Sequence, residues 1–357
     1  MNIDALQSAM RESGIDASLI LSPENRRYFT AFPASDGVLA VCKNECVFYT
    51  DSRYIEAAKK SINFCEVKEG KNQYGQLKEL FNKNGVKTVT VEADRLTLTQ
   101  FKNLTENEEL ADFNFTADRT LDSIINLLRS VKSDGEIRLI KQAQSIAEKG
   151  LDHILGFIKP GMTEKQVQLE LDFFMLSNGA EALSFETIAI AGQKTSMPHG
   201  VPSDNIINDG DLVTLDFGAV VNGYHSDMTR TFAVGHADSD RRKIYEIVLA
   251  AHINVLENLK PGMTCKEADA LARDVIDKAG FGSFFGHGTG HGVGIEIHEF
   301  PSLSPRSNAI LAPGQVVTDE PGIYLPGKFG VRIEDMLLVT ENGCQTLANA
   351  PKELIIV

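Results

Sequence analysis

The sequence predicts an α/β amino-terminal domain, residues 1–121, followed by an α+β domain, residues 122–357, built from two related halves. Three observations carry this. Short strand and helix signals alternate over the first 120 or so residues, and long helical patterns take over afterwards. Within the second part, two separate motifs then recur about 100 residues apart. A chain of 357 residues is also long for one core and suits two.

In the first domain, MNIDALQSAMRESGID is an amphipathic helix pattern, DASLILS and VKTVTVEA are short apolar strands, and VLAVCKNECVFYT is a hairpin turning at Lys43-Asn44-Glu45. EAAKKS and QLKELFNKNG are helical. The second domain opens on SDGEIRLIKQAQSIAEKGLDHIL, where Ser133 and Glu136 have capping-box spacing. KPGMTEKQ at 159–166 returns as KPGMTCKE at 260–267, each with its own capping box, Thr163 with Gln166 and Thr264 with Glu267.

The second echo is a strand that ends in carboxylate. GDLVTLDFG at 210–218 lies over GQVVTDEPG at 314–322 with a constant offset of 104, placing Asp216 on Glu320. HGV also occurs twice, at 199–201 and 291–293, offset by 92. Solenoids need three or more copies. Two copies that share polar residues instead predict one domain of two halves with a site between them.

Bulk composition removes several classes of function. With 43% hydrophobic and 24% charged residues, the chain has the makeup of a soluble globular protein. No apolar run reaches membrane-spanning length, and the start does not resemble a signal peptide. A net charge of −14 argues against nucleic acid or an anionic membrane as partner. Five scattered cysteines without a CxxC pair argue against a disulfide framework or a structural zinc site, so a cytoplasmic location is expected.

An isolated acidic residue at a strand end usually means that the strand has reached the surface, because burying an unpaired charge costs several kcal/mol. The hairpins change that reading. Asn222-Gly223 joins two strand-like runs, which sets Asp227 opposite Gly218 and diagonal to Asp216 on the same face. In the second half, folding back around Gly327 sets Glu334 opposite Glu320, with Arg332 on the same face and Pro321 interrupting the ladder. Carboxylates that converge in this way repel unless a proton or a cation lies between them.

Between the two pairs, GHGTGHGVGIEIHE carries His287, His291 and His298, three of the eight histidines within twelve residues. Neither the dinucleotide fingerprint nor a P-loop fits these glycines. Four carboxylates and an imidazole suffice for two divalent ions; mostly oxygen ligands with one nitrogen favour manganese, iron, cobalt or zinc over copper, and calcium would not need the histidine, with manganese taken as the first expectation.

SMPHGVPSD, GDLVTLDFG, GYHSDMTRTF, GHGTGHGVGIEIHE, DEPGIY and VRIEDM together make residues 121–357 resemble the pita-bread metallopeptidases, which include aminopeptidase P, prolidase and methionine aminopeptidase. RRYFTAF and DSRY, more weakly, make the first domain resemble the creatinase-like domain that precedes Xaa-Pro peptidases. The resemblance implies Asp216, Asp227, His291, Glu320 and Glu334 as ligands of two ions and Glu320 as the proton-handling glutamate. It also implies His199 and His298 at the scissile peptide, His287 at the proline pocket, Arg332 behind the ligands and Tyr324 contributing to the site.

The implied reaction is removal of a residue preceding proline from small peptides, by an enzyme that is a homodimer. Relatives that act on Xaa-Pro dipeptides often carry HEFPR; this chain has HEFPS with Ser302, which points to longer Xaa-Pro-Yaa substrates, with dipeptidase activity as the alternative. Methionine aminopeptidases lack the amino-terminal domain. A silent binding homologue would be expected to have lost ligands, and none of the five is missing. Asp319, where the pattern normally carries an apolar residue, has no role in this reading beyond support behind the ligands.

Overall fold

The computed structural model describes residues 2–357, which form two compact units, one ending at Arg129 and the other Ser130–Val357. The first unit is a six-stranded mixed sheet of β1 (Ala17–Ile20), β2 (Val38–Cys42), β3 (Cys46–Thr50), β4 (Glu66–Glu69), β5 (Thr88–Val91) and β6 (Asn114–Thr116), in the order β4-β3-β2-β1-β5-β6. Six helices accompany it: α1 (Asn2–Glu12), α2 (Pro23–Thr30), α3 (Ile55–Ser61), α4 (Gln73–Lys83), α5 (Leu98–Thr105) and α6 (Thr120–Ser130). The β2–β3 hairpin turns at residues 43–45, as the sequence predicts, and all five cysteines of the chain are free thiols.

The second unit is built twice. Its first half has α7 (Asp134–Phe157), α8 (Glu164–Ser177), the short β7 (Ala182–Leu183), β8 (Ile188–Ala191), β9 (Leu212–Phe217), β10 (Ala219–Val221), β11 (Tyr224–His225) and β12 (Met228–Ala233). Its second half has α9 (Ser239–Asn258), α10 (Cys265–Lys278), β13 (Gly290–Gly292), β14 (Glu299–Leu303), β15 (Val316–Asp319), β16 (Gly322–Leu325), β17 (Phe329–Arg332), β18 (Asp335–Val339) and β19 (Cys344–Thr346). Helices α7, α8 and α10 each start at the capping box read from the sequence, with both reciprocal side-chain bonds formed. Three-stranded β12-β9-β8 and five-stranded β14-β13-β15-β18-β19 are the sheets that carry the site.

Turn chemistry fixes the register of both hairpins. Asn222 and Gly223 sit at φ 49° and 83°, the two left-handed positions a tight two-residue hairpin needs. Val220 pairs with His225 and Phe217 with Met228, so one register runs through the hairpin and sets Asp227 across from Gly218. A Cβ on Gly218 would lie 1.9 Å from the Ser226 carbonyl oxygen, so no other residue fits there. In the second half, Asp319 pairs with Asp335 and Gly322 with Arg332, which sets Glu320 across from Glu334. Pro321 divides this long hairpin into β15–β18 and β16–β17, two ladders in separate sheets.

Strand-to-strand bonds join the halves. The Glu334 N–H donates to the Thr229 carbonyl at 3.1 Å, and the Thr231 hydroxyl donates to the Arg332 carbonyl at 2.9 Å.

Candidate metal centre

Each carboxylate reaches the site for a local reason. Asp216 and Asp227 share one face of the β9–β12 hairpin, and Glu320 and Glu334 share one face where the second hairpin breaks at Pro321. The backbone N–H groups of both glutamates bond away from each other, Glu320 to the Thr289 carbonyl and Glu334 to that of Thr229. His291 comes from β13, which lies beside β15 in the same sheet. Ligand atoms of Asp227, His291 and Glu334 all lie within 4.8 Å of one another, and His291 Nε2 lies 3.5 Å from both Asp227 Oδ2 and Glu320 Oε1.

Hydrogen bonds set the histidine tautomers. His291 Nδ1 lies 3.1 Å from the Gly292 carbonyl, an acceptor only, so Nδ1 carries the proton and the Nε2 lone pair faces the carboxylates. His287 donates from Nδ1 to the Gly288 carbonyl at 2.8 Å, and its Nε2 accepts from the Tyr324 hydroxyl at 2.9 Å. That hydroxyl accepts in turn from Arg332 Nη1 at 3.0 Å. Arg332 donates from Nη2 to Asp216 Oδ2 at 2.5 Å and from Nε to the Thr229 hydroxyl, which donates to Glu334 Oε2 at 2.7 Å.

The electrostatics are those of a site with more buried carboxylate than its one guanidinium neutralises. Burial first, and then the neighbouring carboxylates, hold Asp227 and Glu334 well above the usual carboxylate range. Burial pushes Glu320 up to about 8 despite Arg332. Burial likewise depresses His287 and His291 to about 4. Asp216 Oδ1 is buried without a hydrogen-bond partner. Oxygen donors with one imidazole lone pair, crowded beyond what Arg332 neutralises, fit divalent cations.

A cavity of about 500 Å³ opens on this cluster. All four carboxylates of the cluster line it, as do His199, His287, His291, His298 and Arg332. His199 and His298 are exposed at its edge, and the His298 ring centroid is 4.3 Å from that of His291. Tyr324 is placed differently: it is 7% exposed, outside the cavity wall, and braces His287 and Arg332 from behind. The glycines of GHGTGHG serve packing as much as ligand room, since a Cβ on Gly290 would lie 2.0 Å from the Thr318 carbonyl oxygen.

Sequence reasoning missed several supports. Asp269 accepts from the Thr289 backbone and from Arg273, whose guanidinium also holds the His287 carbonyl. Lys132 and Glu299 form a buried 2.8 Å ion pair next to His298. Asp319 and Asp335, fully buried on the opposite face from the two glutamates, close on His252 of α9. Only the i,i+4 spacing of Asp269 and Arg273 on α10 is local, and every other contact here joins segments far apart in the chain.

A pH dependence follows for the metal-free protein. A carboxyl group whose pKa is raised on folding stabilises the fold below its unfolded value and loses that contribution as pH rises through the folded one. For Glu320 that window runs from 4.5 to about 8, and Asp227 and Glu334 act in the same direction. The depressed histidines act oppositely, but only between 6.5 and about 4. The metal-free chain is therefore expected to melt lower at pH 8 than at pH 6.5, and added Mn²⁺ is expected to raise the melting temperature more at pH 8. Scanning calorimetry at the two pH values checks both.

Two family models account for nearly the whole chain: the metallopeptidase family M24 matches residues 138–341 and the Creatinase/Prolidase N-terminal domain matches 2–131. The chain is 44% identical to an uncharacterised peptidase, YqhT, of Bacillus subtilis over the full length of both. It is 38% identical to an Xaa-Pro dipeptidase of Pyrococcus furiosus over 99% of each chain. Among solved structures, an Xaa-Pro dipeptidase from Bacillus anthracis superposes with a TM-score of 0.94 at 42% identity, covering 100% of this chain and 99% of its own. An X-Pro aminopeptidase from Thermotoga maritima does so with 0.90 at 36%, covering 98% and 100%.

Proposed function

The chain belongs to metallopeptidase family M24, with the pita-bread fold and the creatinase-type amino-terminal domain, and on that premise we propose that it hydrolyses the bond before proline in Xaa-Pro dipeptides. The observation that carries the reading is the convergence of Asp216, Asp227, His291, Glu320 and Glu334 on one cavity. These five residues would hold two divalent ions, manganese first among them. Bound there, the ions would activate a water and polarise the scissile carbonyl.

The chain's own groups supply the rest. Glu320, within the ligand cluster and beside His291, takes a proton at its carboxylate and passes it to the departing proline nitrogen. His199 and His298, at the exposed edge of the cavity, donate to the peptide oxygen as charge develops on it. His287 borders the proline ring, its orientation locked by Tyr324 and the Gly288 carbonyl. Arg332 and Tyr324 position Asp216 and His287 without touching the peptide. An Xaa-Pro bond lacks an N–H, so a site that asks for none there accepts it.

The dipeptide reading is preferred to the longer-substrate expectation because more of the relatives that match along the whole chain are Xaa-Pro dipeptidases, with an X-Pro aminopeptidase also among them. Ser302 favours the second reading, Xaa-Pro-Yaa. It lies in the cavity wall on the rung opposite His291, and among the described residues Arg332 is the one Lys or Arg lining the cavity. Arg332 is already taken by Asp216 and Tyr324. Rates on Ala-Pro and Ala-Pro-Ala decide between them: faster Ala-Pro turnover supports the dipeptidase, and turnover of Ala-Pro-Ala alone overturns it. Ser302→Arg is expected to raise the Ala-Pro to Ala-Pro-Ala ratio by about tenfold, through a charge-assisted bond to the dipeptide's terminal carboxylate.

A further inference from the structure

The second half of the catalytic unit carries two carboxylate pairs back to back. Glu320 and Glu334 face the cavity. Asp319 and Asp335, one rung inward on β15 and β18, face the core, where both are 0% exposed. Like charges directly opposite each other on paired strands repel, and in a dry core the cost is larger.

The protein answers the core pair with its own cations. His252, on α9 and fully buried, lies between them, hydrogen-bonded through Nε2 to Asp335 Oδ2 at 3.3 Å and in charge contact through Nδ1 with Asp319 Oδ2 at 2.8 Å, off hydrogen-bonding geometry. Arg230 and Lys352 each reach Asp335 at 2.7 Å. Asp319, by contrast, has His252 as its only ion-pair partner among the described residues.

The internal repeat supplies a comparison within the same molecule. At the 104 offset, Asp319 corresponds to Leu215. At the 101 offset that superposes KPGMT at 159 on KPGMT at 260, His252 corresponds to Leu151. Leu151 and Leu215 are both fully buried in one apolar cluster. The first half thus joins helix to strand with two leucines where the second half uses an imidazole and a carboxylate.

The location gives the difference a purpose. Asp319–Asp335 is the last rung of its ladder before Pro321 breaks it, and the N–H groups of Glu320 and Glu334 bond to other strands. The two glutamates therefore exchange no backbone bond with each other, and the one that spans the break beside them, from the Ile333 N–H to the Pro321 carbonyl, is long at 3.4 Å. We propose that His252, by bridging Asp319 and Asp335, acts as a positioning residue that sets the separation of the Glu320 and Glu334 carboxylates and thereby the affinity for the second divalent ion. A ligand set tolerates only small displacements, on the order of half an ångström, so one bridge at this rung is enough to matter. The inference rests on these glutamates holding the ions.

Equilibrium dialysis of metal-stripped protein against Mn²⁺, with calorimetric melting of the same samples, tests it. His252→Leu is expected to weaken the second Mn²⁺ site at least tenfold and to lower the melting temperature. His252→Leu/Asp319→Leu, which installs the first half's apolar pair, is expected to recover the melting temperature while the second site stays at least tenfold weaker. Asp319→Asn, which keeps a polar link to the ring, is expected to bind both ions within about threefold of wild type. Wild-type affinity for two ions in the double variant would overturn the proposal and leave His252 a stabilising residue only. Should His252→Leu not fold, the double variant and Asp319→Asn decide alone. Fewer than two ions on the wild-type chain would overturn the dinuclear reading itself, and the bridge with it.

Discussion

Glu320→Gln is expected to lower kcat on Ala-Pro by at least about 10³-fold while leaving the fold intact. Proton transfer by a positioned side chain is worth roughly 10²–10⁴-fold, and Glu320 also faces the other ligands, His291 Nε2 lying 3.5 Å away. The amide keeps the shape but can neither take the proton nor compensate a cation. Stability should move the other way. In the metal-free chain Glu320 is a buried carboxyl group held up to about 8, so at pH 8 it costs folding free energy. The metal-free variant is therefore expected to melt at or above wild type at pH 8. Steady-state kinetics and calorimetry on one preparation read both effects. A residue that merely held the fold would lose activity and melting temperature together.

Arg230→Met is expected to cost about 3–5 kcal/mol: Asp335 keeps Lys352 and His252, but one partner of a buried ion pair is lost and several buried carbonyls lose their donor at once. Arg230 is 2% exposed and lies where the two halves meet. It donates to Asp335 at 2.7 Å, to the Glu334 carbonyl at 2.6 Å and to the carbonyls of Ala350 and Pro351 near the carboxyl terminus. Methionine matches the length of the stem and none of these bonds. For a unit of this size the loss corresponds to roughly 6–20 °C in melting temperature. Arg230→Lys is expected to recover only part of it, because an ammonium cannot span five acceptors, the Thr229 carbonyl included, arranged for a guanidinium fork. Thermal unfolding of the three proteins checks the order wild type, lysine, methionine.

What the sequence disclosed and what it concealed divide along a physical line. Asn222-Gly223 demands two left-handed residues, so the register of its hairpin, and with it the approach of Asp227 to Asp216, could be counted off the chain. The long hairpin around Gly327 could be counted in the same way, which is why Glu320 and Glu334 meet across it as expected. Capping boxes mark helix starts because both partners lie three residues apart.

His252 left no such trace. It is a single histidine on the buried face of a long helix, 67 residues before Asp319 and 83 before Asp335, and nothing local links them. The placement of Tyr324 behind His287 depended on side-chain direction at a strand break, which alternation alone does not give. Asp319 was visible as a departure from pattern. Its partner became visible only once helix and strand were packed together.

Hydrolysis of Ala-Pro by metal-stripped protein, before and after Mn²⁺ is restored, with Ala-Ala as the control substrate, tests the central claim most directly. The account predicts no turnover without metal, recovery with Mn²⁺, and cleavage of Ala-Pro alone. Undiminished Ala-Pro cleavage by fully stripped protein, or no cleavage with two Mn²⁺ demonstrably bound, would contradict it.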